Sequence, residues 1–253
     1  MDEKTKTLIQ TLAQQYETAA FLTADPSQFM HRYTDARDAE TAAFIAANLA
    51  FGRREQILSH TERILAAAGN SPAEWILCEE YRRFFVNGNS SFYRIFSDTD
   101  MLLFCDSLRR FLRESTDGTL GGFFRPRFFS ESTAHYHTVI ARAFPADCRL
   151  VPHTADSASK RLNMLLRWLV RRRSAVDLGL WDFLSSERLL MPLDTHVMHQ
   201  STELGFFERT RTGKIRQATL KAAVQLTEAM REIFPDDPVR ADFALFGLGV
   251  NKA

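Results

Sequence analysis

A lysine and an aspartate, Lys160 and Asp194, stand 34 residues apart, each where the sequence turns into an amphipathic helix. Lys160 lies in RLVPHTADSASKRLNMLLRWLVRRR, residues 149–173, which carries seven basic residues (Arg149, Lys160, Arg161, Arg167, Arg171, Arg172, Arg173) and one acid, Asp156. Leu162, Leu165, Leu166 and Leu169 recur at i, i+3, i+4 and i+7 and so bury one helical stripe, while Lys160, Met164, Arg167 and Arg171 follow another. Ser157 or Ser159 is a suitable N-cap. That puts Lys160 and Arg161 in the first turn, where the helix dipole already presents about half a positive charge. A cation is disfavoured there unless it meets an anion such as phosphate or gives up its proton. The dipole, the neighbouring arginines and any desolvation all lower a lysine pKa, and the neutral amine is a nucleophile. A solvated basic helix whose lysine has no such task fits the same spacing.

Asp194 follows Pro192 in LLMPLDTHVMHQSTELG, residues 189–205, where Val197, Met198, Ser201 and Leu204 predict a helix starting just after it. An aspartate at that point caps the helix by accepting from backbone amides two or three residues on. A carboxylate so held is also fixed and kept ionised, as a charge-stabilising group must be, so capping and catalysis are compatible. A third stretch, PDDPVRADFALFGLGV at 235–250, sends Asp242 into an apolar helix with Phe243, Leu245, Phe246 and Leu248. Asp242 there is a cap or a recognition group, and Phe246 is a core residue by default. His135-x-His137 and His196-x-x-His199 have ligand-like spacings, but no HExxH accompanies them, and His31, His60 and His153 are isolated.

The elements that must position these groups are helices. Eleven glycines and eight prolines in 253 residues are few, so turns are few and elements long. Leu8, Leu12, Gln15 and Ala19 begin a helix running toward Phe21, Asp25-Pro26-Ser27 breaks it, and Phe29 and Tyr33 carry a short helix. DAETAAFIAANLAF at 38–51 is a third, with alanines that permit close packing; Gly52-Arg53-Arg54 interrupts, and Ile57, Ile64 and Leu65 continue another to Gly69. Residues 91–115 and 133–144 repeat the helical period, residues 116–132 read as a packed Phe-rich loop, and 145–158 are irregular. Strand-like alternation is nowhere convincing. The expected fold is all-α with about ten helices: one unit of two helical lobes, about 36–150 and 151–253, with a cleft between them and helix 4–22 on the second lobe.

Composition narrows the class further. Hydrophobic residues make up 45% and charged ones 25%, and a chain of this size buries roughly three quarters of its unfolded surface, so its core needs no staples. Lysine and arginine number 32 against 31 acids, a net +1 that excludes a polycation but conceals the local basic run. Cys78, Cys105 and Cys148 are too few for a disulfide framework or a four-cysteine cluster, and a reducing cytoplasm is their natural compartment. No apolar run reaches the length of a membrane span, and Met1-Asp2-Glu3-Lys4 lacks the order of a signal peptide.

Pro192-Leu193-Asp194-Thr195-His196-Val197, followed by Leu204-Gly205, resembles the P-V-D-T-H-V…L-G signature of the helix-hairpin-helix DNA glycosylases, the superfamily of endonuclease III. Lys160 resembles their Schiff-base lysine, and the wide lysine–aspartate gap is closest to the archaeal 8-oxoguanine glycosylase branch. Asp242, Phe246 and Gly247 resemble that branch's late Asp-x-x-x-aromatic helix. Ala47 to Arg54 looks like the first barrel helix and the turn that approaches DNA. The likeness covers about 40–60, 157–206 and 238–249, without the L-P-G-x-G hairpin glycines before Lys160 and without an iron–sulfur signature. Over nearly its whole length the chain also resembles a bacterial family of unknown function, marked by KRLNMLLRW and DFALFGLGV.

The resemblance implies a helix-hairpin-helix glycosylase-like bundle that removes a damaged base, such as an oxidised purine, from duplex DNA. Lys160 would attack the sugar and Asp194 stabilise its positive charge. Asp242 would hydrogen-bond the flipped base, with Met164 and Phe246 on its two faces. Arg161, Arg167, Arg171 and His196 would contact DNA, and Arg53 or Arg54 would fill the gap left in the duplex. No cofactor, metal, iron–sulfur cluster or membrane is expected, and the state expected is a monomer. Three other readings stay open: a non-catalytic nucleic-acid-binding protein of this fold, a metal-dependent helical hydrolase using His196 and His199, and a helical interaction scaffold.

Overall fold

The computed structural model describes residues 1–250. Along the chain run α1 (Glu3–Tyr16), α2 (Ala36–Leu49), α3 (Arg54–Ala68), α4 (Pro72–Leu77), α5 (Tyr81–Phe84), α6 (Asp98–Glu114), α7 (Leu120–Ser130), α8 (Tyr136–Ala143), α9 (Lys160–Val170), α10 (Thr195–Glu203), α11 (Leu220–Arg231) and α12 (Ala241–Val250). Short 3-10 helices cover Ala19–Ala24, Pro26–Arg32, Ser186–Arg188 and Pro238–Arg240, and one antiparallel pair joins β1 (Ser91–Tyr93) to β2 (Phe96–Ser97). The fold is all-α. Its helices exceed the ten expected because α4 has six residues and α5 four, too few for a periodicity to register.

The chain divides into two compact units, one made of residues 1–21 with 154–253, the other of 22–153. In the first, α1 lies along α12, and α10 packs on α12 as well. Asp2 caps α1 by accepting from the Thr5 amide, and the buried stripe is Ile9, Leu12 and Ala13; Leu8, expected on that stripe, is exposed. These residues join Met198, Leu226, Met230 and Leu245 in one apolar cluster. The helix ends at Tyr16, short of the predicted Phe21, and a 3-10 segment carries the chain on. On the facing helix Gly247 permits the close approach, since a Cβ there would stand 2.2 Å from the Tyr16 ring.

The second unit is built around α2, nearly every residue of which is buried; its alanines let neighbours approach on all sides rather than along one stripe. Phe44, Phe104, Phe111, Phe123, Phe124 and Phe144 fill the interior, with Phe111 and Phe123 stacked at 4.4 Å and Phe44 and Phe124 at 5.8 Å. The Phe-rich stretch expected to be a packed loop is packed, but as α7: Thr119 caps it, and Pro126 is accommodated inside it. Pro126 has no amide for the Gly122 carbonyl one turn back, and the Thr116 hydroxyl donates to that carbonyl instead, at 3.4 Å. Residues 91–97, expected to be helical, form the β-hairpin, and α6 starts at Asp98 under a Ser97–Asp100 capping box.

Gly247→Ala should push the Tyr16 ring out of its seat and destabilise the protein by about 1–3 kcal/mol, the usual penalty for overpacking. Urea unfolding checks this, and combining it with Tyr16→Ala should recover part of the loss.

Candidate active site around Lys160 and Asp194

Lys160 is the first residue of α9, and the segment before it is held unusually. Ser159 occupies the cap position in the left-handed region (φ 45°), and its hydroxyl does not accept from the helix, contrary to the capping expected of Ser157 or Ser159. A non-glycine residue held there costs of order 1 kcal/mol or more and persists only where its surroundings fix it. Those surroundings are visible. The Ser159 amide donates to the Ser157 hydroxyl at 3.1 Å, and Asn163 Nδ2 donates to the Ala158 carbonyl at 2.8 Å. The Leu220 amide donates to the Asp156 carbonyl at 2.9 Å, beside a bridge between Ser157 and Thr219. The loop is thereby tied to the start of α11.

Asp194 caps α10 as expected, and it divides the work between its oxygens. Oδ1 accepts from the amides of His196 and Val197, both at 2.9 Å. Oδ2 is turned to the Lys160 amine, 3.8 Å away, and both side chains keep part of their surface in solvent. Two stretches far apart in sequence thus bring an amine and an anchored carboxylate together at the N-termini of two helices.

Asp242, expected as a cap or a recognition group, does not cap α12; its Oδ2 accepts from Nη1 of Arg167 in a short ion pair. Burial pushes its carboxyl up to about 6, helped by the negative charges of Asp194 and Asp177 and opposed by Arg167 and Lys160. Asp242 therefore shares an electrostatic neighbourhood with the lysine–aspartate pair. Met164 is buried on α9, and the half-buried Phe246 presents its ring to Phe21 at 4.9 Å.

Two cations of the basic run 149–173 are buried rather than on the surface, and the expectation that Arg167 and Arg171 contact phosphates is corrected accordingly. Arg167 is 3% exposed and pairs with Asp177 (3.3 Å) as well as Asp242; Arg171 is 2% exposed and pairs with Asp177, Asp237 (2.8 Å) and Glu17 (2.7 Å). A guanidinium is stable in an interior only when carboxylates meet it, and here they do. Asp177, Glu17 and Asp237 are the members that the sequence reading missed. No spacing could flag them, because they join Arg171 across 6, 154 and 66 residues. Burial opposes the charge of Arg171, but these acids outweigh it and raise its pKa. Arg149 pairs with Asp100 at 3.1 Å.

Arg161 is half-buried in the first turn of α9, and His196 is exposed in the first turn of α10, where Gly249 of α12 approaches it so closely that a Cβ would stand 1.7 Å from its ring. Arg53 and Arg54 belong to the other unit, exposed at the start of α3. There the hairpin backs their turn: Tyr93 donates its hydroxyl proton to the Phe51 carbonyl, and the Arg94 guanidinium lies over the Phe51 ring at 4.6 Å. His199 is exposed, and among the described residues no group of three or more His, Cys, Asp or Glu is arranged to hold a metal ion. No helix among the described residues is long and apolar enough to cross a membrane. A cleft of about 510 Å³ opens at the far end of α9 from Lys160, lined by Arg171, Arg172, Arg173, Ser186, Asp237 and Arg240 among others.

A family model described as protein of unknown function (DUF2400) matches residues 25–251. No curated protein and no solved structure matches the chain.

Asp242 should titrate close to pH 6, well above an ordinary aspartate, in carbon-detected NMR of the side chain. Its folded pKa exceeds its unfolded one of about 3.9, so the folded state binds the extra proton between the two values. The stability that Asp242 contributes is therefore fully present below about pH 4 and is lost as pH rises through 6. The difference in urea midpoint between the wild type and Asp242→Asn should decline over that window.

Proposed function

The chain belongs to the family described as protein of unknown function (DUF2400), and we propose, from its own residues, that it is a DNA base-excision glycosylase with Schiff-base lyase activity on a helix-hairpin-helix glycosylase-like fold. The observation that carries the reading is the 3.8 Å approach of the Lys160 amine to an Asp194 carboxylate whose other oxygen is held by two backbone amides.

The chemistry follows from those two groups. Extruding a base from the duplex costs a few kcal/mol, which the enzyme must recover by binding it. As the C1′–N bond breaks, its electron pair leaves with the base, which takes up a proton, and positive charge grows on the sugar. Asp194, held by two amides, would stabilise that charge without reorganising, the condition under which electrostatic stabilisation is strongest. The Lys160 amine, once its ammonium proton has been given up to solvent, adds to C1′ and loses its remaining protons as the sugar ring opens, which leaves an imine. Loss of a C2′ proton from the imine then expels the 3′ phosphate.

Asp242 lies in reach of the same electrostatic field and would recognise the extruded base, with Met164 of α9 and Phe246 of α12 on its two faces. Arg53, Arg54, Arg161 and His196 are the candidate contacts to the DNA, while Arg167 and Arg171 are spent on buried carboxylates. The partner proposed is duplex DNA carrying a damaged base, and the site needs no cofactor.

Borohydride trapping on duplexes with oxidised, deaminated and abasic sites tests this. The wild type should give a covalent protein–DNA adduct. Lys160→Ala should give none, and Asp194→Asn, which keeps a capping oxygen, should slow adduct formation on intact damaged bases roughly a hundredfold or more. Salt-dependent duplex binding with no adduct on any substrate would make the protein a non-catalytic binder of nucleic acid instead.

A further inference from the structure

Arg167 lies on the stripe of α9 that begins with Lys160, yet it faces inward, and nothing in the proposed chemistry uses it. Its guanidinium is shared. Nη1 donates to Asp242, Nε stands 3.3 Å from Asp177, and the plane lies over the Phe243 ring at 4.5 Å. Asp177 has no exposed side-chain surface and is gripped from its other side by Arg171, which also spans Asp237 and Glu17. Glu17 is held in turn by Arg240 at 2.9 Å. Arg167 therefore has no freedom to swing away: each direction is closed by a carboxylate, a ring or a buried partner.

We infer that Arg167 is a positioning residue for the reaction: anchored by the Asp177–Arg171 pair, it fixes the Asp242 carboxylate within the electrostatic field of Lys160 and Asp194. The inference rests on the glycosylase reading of the site and adds to it a residue that touches neither base nor sugar.

The surroundings of Asp242 explain why it needs such a partner. From α9 it meets the cations Arg167 and Lys160; from the cap of α10 it meets the anion Asp194, and from the loop after α9 the anion Asp177. Just past the end of α1, which packs along α12, Glu17 is the charged group near this network, and it is taken up by Arg171 and Arg240. Two nearby anions and burial favour the protonated acid. Arg167, bonded to it directly, is the chief counterweight. Without Arg167 the balance at Asp242 would shift further toward the protonated acid, which donates where the carboxylate accepts.

The test compares the wild type, Arg167→Lys, Arg167→Gln and the double variant Arg167→Gln/Asp177→Asn, which removes one positive and one negative charge together and so leaves no stranded ion at Asp177. Two quantities are followed from pH 5 to 9: the rate of borohydride trapping on the preferred duplex, and the Asp242 carboxyl resonance. In the double variant the Asp242 titration should move up by at least a unit, the pH midpoint of trapping should move with it, and the helical circular dichroism should stay unchanged. Arg167→Lys, which keeps a cation without the fork, should restore the titration but only part of the rate. If the wild type traps DNA and a folded double variant keeps both the wild-type pH midpoint and the wild-type rate, Arg167 is merely structural and the inference is wrong. If the wild type forms no adduct on any duplex, the glycosylase reading itself fails, and the role for Arg167 in a reaction fails with it.

Discussion

Burying Asp177 between two arginines governs much of what the first unit can do. Removing one partner of such a pair strands the other charge in a medium that cannot solvate it, at a cost of about 3–5 kcal/mol. The pairing consequently fixes where Arg167 and Arg171 point. Through them it ties α9 to Asp242 on α12, to Asp237 before that helix and to Glu17 at the end of α1. Four carboxylates, Glu17, Asp177, Asp237 and Asp242, meet three arginines, Arg167, Arg171 and Arg240. The cluster is one cation short, and Asp242, which shares its arginine with Asp177, has its carboxyl pushed up to about 6, above all by its burial.

The charge of Lys160 reaches the Asp242 end of that cluster. A lysine at a helix start would ordinarily be repelled by the dipole. Here the local field also contains Asp194 at 3.8 Å, and both charges act on Asp242. The network at the C-terminal half of α9 and the pair at its N-terminus are thus one electrostatic system, with the helix as its rigid spacer. The buried leucine stripe of α9 keeps the two halves in register, since rotating the helix would expose Leu162, Leu165 and Leu169 together with two unpaired guanidinium groups.

The parts of this arrangement that were legible in the sequence are those with a short period or a local rule. The leucines of α9 announce its buried face, and Asp194 announces its cap because Pro192 and the apolar residues after it leave no other start for α10. The all-α class follows from helical periodicity over most of the chain. What could not be read has a common cause. Seven basic residues in one run look like a basic surface when their partners are invisible, and the acid that meets Arg167 on α12 is 75 residues away. The hairpin at 91–97 is too short for alternation to show, and α7 has a proline in its interior, a residue that ordinarily ends helices. Ser159 was legible as a boundary but not as a left-handed one, because part of what holds its loop comes from the start of α11, about sixty residues on.

Those bonds bear on why the lysine is where it is. A helix start built on an ordinary side-chain cap offers its first-turn residues considerable freedom, since the cap fixes amides rather than the direction of side chains. At α9 the cap is replaced by a strained serine, a buried asparagine reaching back to the Ala158 carbonyl and a bridge to a neighbouring element. This fixes the chain direction into Lys160 from both sides. At α10 the opposite solution appears: the cap is a side chain, and its second oxygen does the facing. One group leaves a fixed backbone and the other is held by its own hydrogen bonds, so the carboxylate does not depend on the amine to hold its place. A carboxylate anchored in this way keeps its orientation when a ligand enters between it and the amine. A surface ion pair held only by mutual attraction lacks that property, because once parted each partner is free to turn away.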